Sequence, residues 1–323
     1  MKQLHIVQVI SNSPSAHKLP PTNQGGTEKV VYELTENLVK RGHHVTLFAA
    51  KGSRTSARLV SFPKGLGAKG IARYVLAKMP RHVDVIHDHT FNSALSQLNI
   101  KTPTVCTLHM PVKRRVKNPV YVSKRARTVM GKNRGYYVYN GLNPSEYEFS
   151  AKKRSYMLFM GRILRGKGVL QAIEIAEQTN NKLILAGPIK NKAWFNRELA
   201  PRIRRNPNIH FVGPVGGKNK QRLLKYAKCV LFPSLWEEPF GLVMIEAMAC
   251  GTPVVALNRG AVPEVMAGFP HLICRSIPEM IAKVKQAKFP DPYSLRRYVI
   301  RRFTTSKMTA RYLAIYQKVM KNG

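Results

Sequence analysis

The feature that most constrains the fold is the alternation of short apolar segments with helical patterns. Leu4–Ile10 and Val45–Ala50 are apolar runs of strand length. The segment between them carries apolar residues at helical spacing, namely Val30, Val31, Leu34, Leu38 and Val39. Thr27 is the expected N-cap of this helix and Gly42 its expected end. Continuous apolar runs are typical of parallel strands buried on both faces, so this order predicts a doubly wound α/β sheet.

The same order repeats along the chain. In the first half, further strands are predicted at Val83–His87, Thr104–His109 and Tyr136–Tyr139. A second series is predicted at Tyr156–Met160, Leu183–Ala186, Ile209–Val212, Val230–Phe232 and Pro253–Ala256. Helices are predicted at Val169–Glu177, Gly241–Cys250 and Ser306–Met320, and the polar stretch Asn143–Lys153 as a linker. We therefore expect two α/β domains of similar size, with ligand-binding loops at the carboxyl ends of the strands.

Composition excludes several classes of protein. Hydrophobic residues make up 44% of the chain, a larger share than disordered segments contain. No apolar run approaches the ~20 residues of a membrane-spanning helix, and the first ten residues are too polar for a secretory signal. The cysteines are widely spaced, at Cys106, Cys229, Cys250 and Cys274. Neither a disulfide framework nor a metal site is therefore expected, which fits a reducing cytoplasm.

The chain is strongly basic, with 54 Lys and Arg against 16 Asp and Glu and a net charge of +38. Lys113–Arg134 contains no acidic residue, and none follows Asp291. A single last helix is expected to carry Arg296, Arg297, Arg301, Arg302, Lys307, Arg311, Lys318 and Lys321. Such an excess predicts polyanionic partners, although a proteome-wide basic bias would also explain it. Because no nucleic-acid-binding motif is present, specific binding of nucleic acid is not expected.

One segment combines a helix start with two carboxylates. In Glu237-Glu238-Pro239-Phe240-Gly241, Pro239 and Gly241 open a helix whose first N–H groups lack intrahelical partners and favour an anion. Glu238 stands before this helix and Glu246 inside it. A carboxylate accepts two hydroxyl hydrogen bonds, so the pair suits a sugar and a ribose. Two structural alternatives stay open: Glu238 is favoured by the helix dipole alone, or Glu246 pairs with a nearby arginine.

A glycine-rich loop, Gly161–Gly168, follows the predicted strand Tyr156–Met160. It contains Arg162 and Lys167. The planar fork of arginine and the point charge of lysine can together hold a diphosphate. The alternative is that both are ordinary exposed cations of a loop, and Arg165 is an uncertain third.

These two segments resemble the retaining glycosyltransferases of family 4, which have the GT-B fold of two facing Rossmann-like domains. Residues 238–246 resemble the signature E-x-F-G-x(4)-E, and Gly161–Gly168 resembles G-R-[IL]-x(3)-K-G. The resemblance implies that Glu238 binds hydroxyls of the donor sugar and Glu246 the ribose. It implies that Arg162 and Lys167 neutralise the leaving nucleoside diphosphate. The other donor-binding residues it implies are Phe240, Gly241, Leu242 and Val243, the last three through their backbone amides.

The first half adds three shorter similarities. Gly25-Gly26-Thr27-Glu28 resembles the family's glycine-rich loop, so Gly25 and Gly26 are implied to approach the donor with their backbone. Val85–His89 resembles the H-x-H strand end, and Thr107-Leu108-His109 resembles the T-x-H element. His109 is therefore the expected catalytic residue of this half, near the reacting centre. His87 and His89 are either structural or face the acceptor.

Three further matches complete the resemblance. Val212-Gly213 and Leu185–Gly187 resemble walls of the nucleotide pocket, unless they are simply tight turns after strands. Asn140-Gly141 resembles the family's N-G-V-D, with Asn143 in place of the usual Asp. Residues 302–316 resemble the family's ending F-[ST]-W-x-x-M-x(3)-Y-x(3)-Y, whose helix crosses back onto the first domain. The implied domains are 1–148 with helix 306–323 on the acceptor side, and 149–305 for the nucleotide sugar.

The resemblance implies a retaining hexosyltransferase that moves a sugar from a nucleoside-diphosphate sugar to an acceptor hydroxyl, with no metal or other cofactor. We expect a cytoplasmic enzyme, peripheral to the inner face of the membrane, that acts on a lipid-linked or glycan acceptor in envelope synthesis. Two other functions stay open. One is a sugar-nucleotide epimerase or hydrolase on the same fold, and the other is a non-catalytic polyanion-binding protein.

Overall fold

The computed structural model describes residues 2–11, 18–22, 25–63, 65–113 and 115–321. The chain divides into two compact units, Met1–Asn143 with Phe303–Gly323, and Pro144–Arg302. Much of the predicted loop from Ser11 to Gly26, and Arg114 of the basic run, lie outside the described residues.

A parallel sheet forms the centre of the first unit. Its strands are β1 (His5–Ile10), β2 (His44–Ala50), β3 (Arg58–Phe62), β4 (Val85–His89), β5 (Thr104–Leu108), β6 (Pro119–Tyr121) and β7 (Tyr136–Tyr137). They lie in the order β3-β2-β1-β4-β5-β6-β7, and every neighbouring pair is parallel. The first three helices are α1 (Gly26–Lys40), α2 (Ala68–Lys78) and α3 (Lys124–Gly131).

The second unit is also built on a parallel sheet. Its strands are β8 (Tyr156–Met160), β9 (Lys182–Ala186), β10 (Ile209–Gly213), β11 (Cys229–Phe232), β12 (Val254–Leu257) and β13 (Ile273–Cys274), in the order β10-β9-β8-β11-β12-β13. Its helices are α4 (Val169–Thr179), α5 (Lys192–Trp194), α6 (Ala200–Arg205), α7 (Gly217–Tyr226), α8 (Leu242–Ala249), α9 (Val262–Val265), α10 (Ile277–Gln286) and α11 (Pro292–Arg302). A π-helical turn, Phe195–Leu199, joins α5 to α6. The prediction of two parallel α/β units is confirmed.

The degree of burial explains which strands could be predicted from the sequence. Every residue of β4, β5, β11 and β12 is buried, as expected for central strands of a parallel sheet that is covered on both faces. Three strands were not predicted. β3 is an edge strand that is mostly half-exposed, β6 has three residues and β13 has two, so none of them forms a long apolar run.

The C-terminal helix α12 (Thr305–Lys321) belongs to the first unit, where it packs against α1. The Thr305 hydroxyl donates to Glu33 Oε2 at 2.8 Å, and Arg41 Nη2 donates to the Ser306 carbonyl at 2.9 Å. Leu142 and Thr304 form a parallel bridge, so the segment that leaves this unit lies beside the one that returns.

Two local predictions are wrong. Thr27 does not cap α1, because the helix begins at Gly26 and the preceding Gly25 offers no side-chain cap. The basic residues after Asp291 lie on two helices rather than one. Arg296, Arg297, Arg301 and Arg302 belong to α11 in the second unit, whereas Lys307, Arg311, Lys318 and Lys321 belong to α12 in the first.

Gly168 and Gly42 provide a matched test of the packing around the loop before α4. Both have a left-handed backbone, with φ of 77° and 83°. A Cβ on Gly168 would lie 1.9 Å from the Pro233 carbonyl oxygen, whereas a Cβ on Gly42 meets nothing within 4 Å. We expect Gly42→Ala to lower the free energy of unfolding by about 1–2 kcal/mol. Gly168→Ala should cost a further ~1–3 kcal/mol from steric overlap. Equal losses in urea unfolding would contradict this packing.

Candidate functional site

The glycine-rich loop after β8 is fixed to its neighbours by backbone hydrogen bonds. Gly161 N–H donates to the Ala186 carbonyl at 3.0 Å, and Ile163 N–H donates to the Pro188 carbonyl at 2.9 Å. The Leu235 N–H donates to the Gly166 carbonyl at 3.0 Å. The first two bonds join the loop after β8 to the end of β9 and the residues that follow it, and the third joins this loop to the loop after β11.

The two predicted phosphate-binding cations, Arg162 and Lys167, both lie close to the indole of Trp236. The Arg162 guanidinium carbon is 5.5 Å from the ring centroid, and Lys167 Nζ is 5.0 Å from it. A Cβ on Gly166 would lie 1.8 Å from the indole nitrogen, so only glycine fits there. The Trp236 side chain is 43% exposed. Cation–π attraction therefore holds two positive groups at an accessible surface.

Glu238 is only 6% exposed and is held from both its side chain and its backbone. Its Oε1 accepts a charged hydrogen bond from Lys167 Nζ and a second, of 2.8 Å, from the Ser234 hydroxyl. Its carbonyl accepts from Ala261 N–H at 2.9 Å. The structure thus brings together Lys167 and Glu238, which stand 71 residues apart in the sequence.

The helix that follows Glu238, α8, starts one residue later than predicted. α8 begins at Leu242, and Gly241 is its N-cap with φ 85° and no side-chain cap. Met244 N–H is already satisfied by the Gly241 carbonyl at 3.0 Å. Phe240 is buried. The prediction that the amides of Gly241, Leu242 and Val243 receive a phosphate stays a prediction.

Among the described residues, the Glu246 carboxylate has two side-chain partners. Neither is an arginine, which was the structural alternative for this residue. It lies inside α8 with 6% exposure. Its Oε1 accepts from the Tyr147 hydroxyl at 2.9 Å and from Lys220 Nζ at 2.6 Å. Arg296 fixes the segment that carries Tyr147, because its guanidinium donates to the carbonyls of Tyr147 and Pro144 at 2.8 and 2.9 Å.

Val212 and Gly213 end β10 beside the turn that follows β9. Gly187 N–H donates to the Gly213 carbonyl at 2.8 Å, and Val212 is an exposed apolar side chain. A role of these residues in nucleotide binding stays a prediction. In the first unit, Gly25 is crowded, since a Cβ there would lie 2.9 Å from Pro21 Cβ.

Three histidines come together at the carboxyl ends of β4 and β5. β5 ends at Leu108, one residue earlier than predicted, so His109 is the first residue beyond the strand. Its Nε2 lies 3.3 Å from Nδ1 of His89, and the His89 ring lies 3.8 Å from the ring of His87, centroid to centroid. Burial lowers the pKa of His109 to about 4. Burial, with neighbouring histidines, also places the pKa of His87 and of His89 well below the usual value.

Asp88, between these histidines, fixes the turn after β4. Its Oδ1 accepts from the N–H and hydroxyl of Thr90 at 2.8 and 2.7 Å. Its Oδ2 accepts from Leu95 N–H at 2.9 Å and from the N–H and hydroxyl of Ser96 at 3.0 and 2.8 Å. A buried carboxylate with five donors is fully satisfied, so Asp88 is structural.

Sequence reasoning missed the partners that hold the candidate residues. Trp236, Ser234, Tyr147 and Lys220 were not singled out, although Trp236 stands within two residues of Glu238. Only the tertiary structure brings Tyr147 and Lys220 to Glu246. Among the described residues, no group of three or more His, Cys, Asp and Glu could hold a metal ion. In the same part of the chain, no helix is both long enough and apolar enough to cross a bilayer.

Comparison with known proteins defines the class to which this fold and site belong. A family profile described as Glycosyltransferase Family 4 matches residues 24–144, and one described as Glycosyl transferases group 1 matches residues 145–275. The structure of AviGT4, a glycosyltransferase involved in avilamycin A biosynthesis, is similar with a TM-score of 0.83 and 25% identity over 99% of both chains. The two units are those of the GT-B glycosyltransferase fold. The chain belongs to glycosyltransferase family 4.

Two other comparisons bear on the extent of the similarity. An uncharacterized glycosyltransferase from Methanocaldococcus jannaschii is 33% identical over 148 residues, which are 40% of this chain and 37% of that protein. The first curated relatives are matched over less than half of their own length. The structure of Anabaena HepE in complex with UDP-glucose has a TM-score of 0.70 at 18% identity and covers 98% of this chain and 100% of that one.

The lowered pKa values of His87, His89 and His109 predict a free energy of unfolding that is sensitive to acid. Histidine in an unfolded chain has a pKa of about 6.5, so below that pH the unfolded state binds protons that the folded state excludes. Stability therefore falls as the pH falls from 6.5 towards 4, by about 1.4 kcal/mol per pH unit for each histidine that stays neutral. His109→Phe should reduce this slope, measured by urea unfolding between pH 7 and 5, by about that amount. An unchanged slope would contradict the neutral state of His109.

Proposed function

We propose that this protein is a retaining glycosyltransferase that moves a sugar from a nucleoside-diphosphate sugar to an acceptor hydroxyl. One observation carries the proposal: Arg162 and Lys167 both lie close to the indole of Trp236, and Lys167 pairs with the buried carboxylate of Glu238. We assign the nucleotide sugar to residues 149–305 and the acceptor side to residues 1–148 with helix 306–323. The complex of the structural neighbour HepE with UDP-glucose supports this class of donor.

The chemistry follows from charge. When the bond between the anomeric carbon and the phosphate oxygen breaks, negative charge develops on the β-phosphate. Arg162, Lys167 and the start of α8 would stabilise that charge electrostatically. The acceptor oxygen attacks the anomeric carbon on the face from which the phosphate leaves, and its proton passes to the leaving phosphate. Glu238 would accept hydrogen bonds from sugar hydroxyls and Glu246 from the ribose.

Donor binding implies a rearrangement of Glu238. Its Oε1 already receives Lys167 and Ser234. A diphosphate would compete for Lys167, because a phosphate is the more highly charged partner. Release of Lys167 would make the carboxylate available to sugar hydroxyls. From the first unit, His109, Gly25 and Gly26 are proposed to contribute to the same reaction.

Purified protein should bind nucleoside-diphosphate sugars selectively. In a thermal-shift panel of sugar nucleotides, the correct donor should raise the Tm because it binds only the folded state. Arg162→Ala and Glu238→Gln should each lower the rate of transfer on the order of 10²–10³-fold. Arg197→Ala is the matched control, because Arg197 lies on the same unit, is exposed and forms an ion pair with its half-exposed neighbour Glu198. The anomeric configuration of the product, read by NMR, tests retention.

The same experiment separates the alternatives. Transfer that survives both Arg162→Ala and Glu238→Gln would overturn the donor assignment. Release of a new sugar nucleotide or free sugar without acceptor would favour an epimerase or hydrolase. Binding that depends on salt alone, with no preference for a nucleotide, would favour a polyanion-binding protein.

We further propose that the enzyme works at the cytoplasmic face of a membrane, on a lipid-linked or glycan acceptor of the envelope. The charge distribution supports this. One face of α12 carries four exposed cations. They follow one another at intervals of four, seven and three residues, which keeps them on the same side of a helix, and they are Lys307, Arg311, Lys318 and Lys321. Lys124 and Arg125 are exposed at the start of α3.

Vesicle sedimentation tests the membrane proposal. Each cation near an anionic surface contributes about 1 kcal/mol, so replacing Lys307, Arg311 and Lys318 by Gln should weaken partition onto phosphatidylserine vesicles on the order of 10²-fold. The control replaces exposed lysines of the second unit, Lys182, Lys285 and Lys288. Equal losses in the two triple variants would mean that only total charge matters.

A further inference from the structure

Two motifs that the proposed reaction leaves unused, the histidines of β4 and the tyrosines of α12, form one buried network in the first unit. We propose that His89 is a positioning residue that fixes the tautomer of His109, so that His109 presents Nδ1–H as a hydrogen-bond donor. The relevance of this to catalysis rests on the proposed role of His109 in sugar transfer.

His87 is the anchor of the network, because both of its ring nitrogens are engaged. Its Nδ1 lies 2.6 Å from the Tyr316 hydroxyl, and its Nε2 lies 2.7 Å from the Thr107 hydroxyl. The Thr107 oxygen is in turn 3.0 Å from the hydroxyl of Tyr312. With partners at opposite ends, the His87 ring has one orientation. The C-terminal helix thus determines the position of a strand-end histidine.

His89 is held against this anchor. Its ring packs against that of His87 at a centroid distance of 3.8 Å, with the two ring planes inclined by 37°, and His89 is 1% exposed. Its Nδ1 is 3.3 Å from Nε2 of His109, and those two rings are inclined by 30°. A buried imidazole surrounded by other imidazoles stays neutral, so each of these rings carries a single N–H.

The position of the shared hydrogen follows from the other nitrogen of His89. Its Nε2 is buried and has no hydrogen-bond partner among the described residues. A buried N–H without an acceptor is rarer in proteins than an acceptor without a donor. The hydrogen of His89 therefore lies on Nδ1, which donates it to Nε2 of His109. Nε2 of His109 is therefore the acceptor and carries no hydrogen. Since neutral His109 has a single N–H, its own hydrogen lies on Nδ1.

This assignment has a chemical consequence. His109 is half-buried and lines a depression with Phe91, Met110 and Val112. An Nδ1–H that faces this depression would donate a hydrogen bond to an oxygen of a ligand, such as a hydroxyl or ring oxygen. It cannot accept a proton at Nδ1. His109 would therefore bind and orient an oxygen rather than act as a general base.

The tautomer can be observed directly in the full chain without any ligand. In long-range ¹H–¹⁵N spectra of histidine-labelled protein at pH 7.5, with signals assigned by His109→Gln and His89→Asn, both residues should show protonated Nδ1 and bare Nε2. Protonation of His109 at Nε2 would overturn the proposal.

Variants then test whether His89 imposes this state. His89→Phe keeps the ring but removes the donor, so His109 should show a mixture of tautomers and the KM for the donor or acceptor should rise at least tenfold. His89→Asn places an amide N–H near the lost Nδ1–H and should restore the single tautomer and much of the KM. His43→Phe is the control, because His43 is a buried histidine that accepts from Leu4 N–H at the other edge of the same sheet.

The outcomes distinguish this inference from the proposed function. An unchanged His109 tautomer in folded His89→Phe would contradict a positioning role. If the tautomer shifts as expected but the wild-type chain transfers no sugar, the network stands and the proposed function fails. If His89→Phe does not fold, His89→Asn and the wild-type spectra still decide the tautomer.

Discussion

Both units depend on the burial of a parallel sheet on its two faces. Parallel strands need crossover connections, so the loops after all strands of one sheet meet at one edge. That geometry collects polar residues which are distant in the sequence. His109 follows β5 and Asp88 is the second-last residue of β4 in the first unit, while Arg162 follows β8 and Glu238 follows β11 in the second.

Polar groups at such an edge are partly buried, and each must be satisfied. The structure meets this requirement with neighbours from adjacent loops. Asp88 takes five hydrogen bonds from its own turn, and Glu238 takes those of Lys167 and Ser234. The two carboxylates differ in the chemistry of their partners. Asp88 is saturated by groups that cannot leave, whereas Lys167 is a flexible cation that a phosphate can attract. Only the second arrangement suits ligand exchange.

The features that could be predicted from the sequence are those that depend on the pattern of neighbouring residues. Apolar runs located the buried strands, and the spacing between Glu238 and Glu246 identified the helix start with its carboxylates. Contacts across long sequence separations were not predictable in this way. Tyr147 reaches Glu246 across 99 residues, and Tyr316 reaches His87 across 229. Thr27 was misjudged because residue type alone does not fix where a helix begins, and here a glycine precedes the first turn.

We propose that the second unit binds a nucleoside diphosphate through its glycine-rich loop and the start of α8. Hydrogen–deuterium exchange of the intact protein, with and without UDP, GDP or ADP, measures this binding at each segment. Exchange at residues 161–168 and 238–246 should slow with at least one of these nucleotides. Unchanged exchange in both segments with every nucleotide, or protection confined to the basic helices α3 and α12, would contradict it.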